Sequence, residues 1–180
     1  MSTNRPLPTI QNFSDTQWAT TSRSPESMVK IDDLCKSTVE DYCEYTILFG
    51  WFCESSRYIN GDLAGDFFTS GAVKSSDLVI VLPNGEHGPK IEQRLYSGKV
   101  LEEVIVVRLG WTEGKNEKLQ QITFGGVRVV GYQQNVLYIV IYLQITRKEN
   151  DIQMFKQKDG SADGHKVSSV DYAMNKLEMK

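Results

Sequence analysis

The chain has 180 residues, 40% of them hydrophobic, and carries 20 basic against 23 acidic side chains. That is material for one domain with a real core, and its net charge of −3, with no concentrated basic stretch, argues against nucleic acid as a partner. No window approaches the roughly 20 apolar residues of a membrane-spanning helix, the best candidate being "VLYIVIYLQI", so no membrane insertion is expected. The first 27 residues also lack the apolar stretch of a cleaved leader. The expectation is a protein folded in the cytoplasm that, if it leaves the cell, does so without a cleaved signal.

Residues 1–27 hold three of the five prolines (Pro6, Pro8 and Pro25), many Ser and Thr, and no periodic pattern. They read as an N-terminal arm ahead of a single domain over 28–180. From Met28 the stretches "MVKI" and "DYCEYTILFGWFC" are rich in β-branched and aromatic residues and read as strands. "ESSRYINGDLAGDFFTSGAVKSS", with Gly61, Gly65 and Gly71 among polar residues, reads as a long loop, a kind that is usually functional or interfacial. "DLVIVL" is the next strand, and "PNGEHGP" stops it.

One helix is expected, over about 89–97. Pro89 suits a first helical turn, Gly98 suits the left-handed residue beyond the end, and Ile91 and Leu95 share a face. Four further strands follow: "KVLEEVIVVRL", "EKLQQITFGGVRVVGY", "NVLYIVIYLQITR" and "NDIQMFKQK". No proline occurs after Pro89, as long paired strands require. "GWTEGKNE" and "GYQQN" supply turns, and Gly125–Gly126 inside a strand predicts a bulge or a sharp corner.

The strand over 136–146 is the most telling. Leu137, Ile139, Ile141, Leu143 and Ile145 alternate onto a core face. Val136, Tyr138, Val140, Tyr142, Gln144 and Thr146 form the other face, which carries no charge where a solvent-facing one normally would. Either another layer of the same domain or a neighbouring subunit covers such a face. Tyr138, Val140, Tyr142 and Gln144 are therefore candidate interface residues.

Catalytic signals are thin, and the chain reads as a non-enzyme. His87 and His165 sit in Gly-rich turns and read as solvated, and no nucleophile elbow or phosphate-binding glycine loop is present. Glu102 and Glu103 alternate faces of a strand and form no dyad. The Asp-Gly pairs in "NGDLAGD" and "DGSADGH" lack a calcium-loop spacing and read as turns. Cys35, Cys43 and Cys53 match neither a disulfide framework nor a zinc site; in one strand, Cys43 and Cys53 would lie about 33 Å apart. They read as reduced, buried apolar side chains. No metal and no cofactor are expected.

The order of these landmarks over 28–180 resembles the haemolysin-coregulated protein family, the inner-tube proteins of bacterial type VI secretion systems. The helix ending in "SGK", the strands in "EEVIVVRLGWTEGKNEKLQQITFGGVRVV" and the closing "KQKDGSADGHKV" carry the resemblance. Gly50 precedes Trp51 where the family usually has Trp before Gly, the long loop has less glycine, and the arm has no counterpart in compact members. The resemblance implies a mainly β fold: a β-barrel of two packed, largely antiparallel sheets with one short helix. It also implies six subunits closing edge to edge into a ring and rings stacking into a tube. A contractile sheath, a spike and a baseplate would be partners, and effector proteins would be cargo. On the same basis Lys158 and Asp159, in the C-terminal turn, join the candidate interface. A phage or viral tail-tube or capsid subunit and a small-ligand-binding barrel are the alternatives.

Overall fold

The computed structural model describes residues 27–179, apart from 33, 38, 40, 61–68, 113–114, 156–161 and 175. It is a two-sheet β structure with one helix. In chain order the elements are β1 (Ser27–Ile31), β2 (Thr46–Ile47), β3 (Gly50–Phe52), β4 (Ser55–Asn60), β5 (Thr69–Ser75), β6 (Leu78–Pro83) and α1 (His87–Ser97). Then come β7 (Leu101–Thr112), β8 (Lys115–Gln134), β9 (Tyr138–Gln144), β10 (Arg147–Phe155), β11 (Ala162–Asp171) and β12 (Lys176–Met179).

One sheet runs β12-β11-β10-β8-β7-β1-β2 and the other β3-β6-β9-β8, with antiparallel pairing throughout. The 20-residue β8 belongs to both. Its residues 120–125 pair with β10, and residues 128–134 pair with β9. The change of partner falls on Gly125–Gly126, where a corner was expected. Gly126 has φ +58°, and Thr146 fills the notch, its Oγ1 donating to the Gly125 carbonyl at 3.0 Å. A Cβ on Gly126 would overlap Thr146 Oγ1, whereas one on Gly125 would meet only the Arg147 guanidinium, at 2.8 Å, the movable end of a long side chain.

The second corner is the segment 46–52, expected as part of one continuous strand and in fact divided between the sheets. Leu48 N donates to Ser27 O of β1, and the next residue, Phe49, donates to Val81 O of β6. Cys43 and Cys53 thus lie on either side of this corner rather than along one strand. Hydrogen bonding thus passes from sheet to sheet at both corners.

Between the sheets lies the main core, which includes Val29, Ile31, Ile80, Leu82, Ile91, Val104, Phe124, Ile139, Ile141 and Leu143. Trp51 meets Phe124 edge-to-face at 6.0 Å between ring centres. Two smaller apolar clusters lie on the outer faces. Met28, Val107 and Leu109 are packed against Val39, Tyr42 and Tyr45 of the 34–45 segment, which is tied down by the Lys30–Glu44 ion pair. Val79, Val81, Val140 and Tyr142 form the other cluster, with Phe49 and Tyr138 at its border. Strands β6 and β9 are therefore buried on both faces, which explains why "LVIVL" and "YIVIYL" are continuous rather than alternating apolar runs.

Several boundaries differ from the sequence reading. The helix begins at His87, so Pro89 occupies its third position, still inside the first turn where no helical amide is lost. Gly98 closes it at φ 62° as expected, donating to Leu95 O at 3.3 Å. The expected long loop contains a ribbon, β4 paired with β5 in a sheet of its own. "GYQQ" belongs to β8, and the turn is Asn135–Leu137, with Asn135 Oδ1 accepting from Leu137 N and Tyr138 N at 2.8 Å each. Val136 and Leu137 are consequently exposed at a hairpin tip, 92% and 61%, instead of belonging to a strand's core face.

Candidate assembly surfaces

The C-terminal part of the chain builds a polar extension on the larger sheet. β10 pairs with β8 along one edge and β11 along the other, and β12 ends the sheet. The extension answers to little core: most described side chains of β11 are exposed or half-buried, and Ile152 is 42% exposed. Polar contacts hold it instead. Gln120 Nε2 donates to Asn150 Oδ1 at 2.8 Å, and His165 Nδ1 lies 2.9 Å from Asp151 Oδ1.

Tyr172 ties this extension to the domain. Its N–H donates to Thr146 O at 2.9 Å, its ring packs on the main core, and its hydroxyl lies 2.6 Å from Ser55 Oγ at the base of the β4–β5 ribbon. The ribbon base is closed by reciprocal bonds between Glu54 and Ser76, whose backbone amides donate to the Ser76 hydroxyl and the Glu54 carbonyl at 2.8 Å each. A shallow groove of about 200 Å³ lies between ribbon and extension, lined by Ser55, Lys148, Asn150, Ser168, Ser169 and Val170. It is smaller than the roughly 300–1,000 Å³ typical of a small-molecule site.

The sequence-level candidates separate into three groups. Val140 and Tyr142 are only 3% and 5% exposed in the single subunit. Tyr142 also lies over Gly131, where a Cβ would come 3.0 Å from its ring, at the bulge between Val129 and Gly131. Tyr138 is half-buried and Gln144 exposed. Lys158 and Asp159 lie outside the described residues. The strand pattern missed β12, the ribbon and the Val136–Leu137 tip as surface features. Four residues of β12 are too few for a period, and the polar, glycine-containing arms of the ribbon have the composition of a loop.

Two titratable readings change. His87 is buried, 4% exposed, and not a solvated turn residue. Its Nε2 donates to Pro83 O at 2.9 Å, its ring covers Gly85, and burial lowers its pKa. Cys35 is buried as expected, its thiol pushed up to about 11 by desolvation, whereas Cys53 is half-buried and Cys43 exposed. All three are free thiols. Among the described residues no group of three or more His, Cys, Asp or Glu side chains is placed to hold a metal ion. Of the calcium-like loops, 60–66 falls almost wholly outside the described residues, and Asp163–His165 lies in β11.

No protein-family model matches the sequence, and neither does any curated protein sequence. Solved structures do match the fold. A type six secretion system protein superimposes with a TM-score of 0.75 at 14% identity, over 86% of this chain and 100% of that one. The chain has the haemolysin-coregulated protein (Hcp) fold. Hcp1 from Salmonella typhimurium matches with a TM-score of 0.64 at 14% identity, over 84% of this chain and 97% of its own. The secreted protein Hcp3 from Pseudomonas aeruginosa matches at 0.53 and 11% identity, over 81% and 99%. Nearly the whole of each Hcp chain is covered, so the likeness extends over the complete Hcp fold. At such identities the likeness carries the Hcp fold and not the identity of any contact residue.

Proposed function

We propose that this protein is a tube subunit of a type VI secretion system. Copies close into six-membered rings, the rings stack, and the stack is propelled inside a contractile sheath behind a spike. The observation that supports this reading most is the TM-score of 0.75 over the full length of a type six secretion system protein. In this reading the subunit is a building block rather than an enzyme, leaves the cell within the machine, and carries effectors in the ring lumen. Baseplate contacts belong to the same proposal.

The ring contact draws on surface the subunit does not use for itself. The β10–β12 extension fits this role, since it is polar and β12 ends the larger sheet. Tyr138 and Gln144 supply the accessible border of the smaller sheet, and Lys158 and Asp159 are the remaining contacts. Heterologous packing of one edge against a different surface on the next copy closes a ring when the rotation divides the circle.

Negative-stain microscopy of the purified protein is the direct test, with rings enclosing a central hole as the expected result. Light scattering behind size-exclusion chromatography should give several times the 20.4 kDa subunit mass. A monomer at high micromolar concentration in low salt would end this reading.

A further inference from the structure

The larger sheet carries its core-side face beyond the end of the core. Ile122 and Phe124 of β8 are buried in that core, and their cross-strand partners in β10 are Asn150 and Lys148. These pair in turn with Ser168 and Val170 of β11, so all six residues share one face. Glu149, Asp151 and Asp171 alternate to the opposite face, where His165 lies 2.9 Å from Asp151. Charge is thus divided between the faces, and Lys148 sits on the side without the strands' acids. It is half-buried, and among the described residues it forms no ion pair. Asp77 acts electrostatically on the nearby Cys53 thiol, as Lys148 does, but does not pair with Lys148. A half-buried cation without a counter-charge costs stability unless an anion meets it.

The groove of about 200 Å³ opens over these side chains, with Ser55 of the ribbon among its lining. Its donors are held in place. Asn150 Oδ1 accepts from Gln120 Nε2 at 2.8 Å, which leaves Nδ2 to donate, and Ser55 Oγ lies 2.6 Å from the Tyr172 hydroxyl. We propose that this groove binds a carboxylate, with Lys148 as its counter-charge and Asn150 and the serine hydroxyls as donors. One lysine matches the single charge of a carboxylate, whereas a phosphate group would bring further charge without a partner. Val170 offers an apolar wall to the methylene beside the carboxylate, and the small volume suits a group with a short tail. Two sources carry such a group, a free small acid and an acidic side chain of a second copy of the chain. The inference does not depend on the secretion-tube reading, because the groove lies within one subunit.

The full-length chain tests it through the reactivity of its lysines. The folded protein is acetylated with N-hydroxysulfosuccinimidyl acetate, and the rate at each lysine is read by mass spectrometry. Increasing propionate at constant ionic strength should slow Lys148 along a saturation curve, about fivefold at about four times the half-saturating concentration. The exposed Lys36 and Lys99 should not change, and propionamide should have no effect. An unchanged Lys148, or equal slowing at all three lysines, overturns the proposal.

Asn150→Asp supplies a carboxylate from within and keeps the acceptor for Gln120. In this variant Lys148 should react slowly from the start and ignore propionate. If propionate slows it as much as in the native chain, the carboxylate binds elsewhere and the proposal fails. A dilution series of the native protein without added acid separates the sources. A Lys148 rate that rises on dilution identifies a second copy as the donor of the carboxylate, and a constant rate, with the propionate effect, identifies a free acid.

Discussion

Gly126 takes φ +58°, and a methyl group there would overlap Thr146 Oγ1. Gly126→Ala should cost about 2–4 kcal/mol, from the left-handed backbone and from overpacking. Thr146→Ala alone should cost about 1 kcal/mol, since it loses the bond to Gly125 O. In the double variant the losses should not add, because removing Oγ1 makes room for the new methyl group. Urea denaturation of the three variants measures this, and strict additivity would mean that the two residues do not compete for the corner.

His87 makes a different residue-scale prediction. Burial lowers its pKa, while the Pro83 carbonyl and Glu86 pull the other way. An unfolded chain takes up this proton near pH 6.5, and the folded chain resists it. The unfolded state therefore gains protons first as the pH falls, and His87 erodes stability below about pH 6.5. His87→Gln removes the titration and keeps a donor for Pro83 O. The stability difference, native minus variant, should fall between pH 7.5 and 5.5; a difference that does not move would place the ring in contact with water.

Strand β9 shows at the element scale what a two-sided strand demands. Ile141 is 0% exposed in the main core, and Tyr142 is packed on Gly131 beside Val79 and Val81 on the far face. Ile141→Asp places an unpaired charge among aliphatic side chains, a cost that a stability of about 5–15 kcal/mol does not absorb. Tyr142→Asp should unfold the subunit as well. Gln144→Asp, at the exposed end of the strand, should shift stability by no more than about 0.5 kcal/mol. Circular dichroism melts of the three variants rank them, and a native melt for Tyr142→Asp would mean that the outer cluster is not part of the core. The extension has its own anchor. Tyr172→Phe loses the contact with Ser55 and should raise amide exchange in β11 and β12 while leaving β6 and β9 protected. Faster exchange throughout would make Tyr172 part of the global core rather than a local tie.

For the whole molecule, stability rests on the space between two sheets and on both outer clusters, with all three cysteines free. Chelator and reductant together should leave the melting temperature unchanged within about one degree. A fall of many degrees would reveal a metal or a crosslink. The fold buries strands on both faces in the middle of the molecule and leaves its C-terminal strands polar.

What could be known from the order of residues was local. Gly125–Gly126 announced a corner because two residues without Cβ break a strand's packing. Gly98 announced the helix end, and "DLVIVL" and "YIVIYL" announced strands because no charge interrupts them. The chain's order of elements carried the Hcp likeness as well. Pairing partners were a different matter. Nothing in "EYTILFGWFC" says that its bonds pass from β1 to β6 between Leu48 and Phe49, since a hydrogen bond to another strand leaves no mark on local composition. The same holds for His87: a histidine in "NGEHGPK" reads as solvated until the helix brings it under Gly85 and against Pro83. An uncharged face at Val140 and Tyr142 was legible in the sequence; that these side chains are buried, in a cluster with Val79 and Val81 of β6, was decided by tertiary packing, because burial depends on which distant segments meet and not on one strand alone.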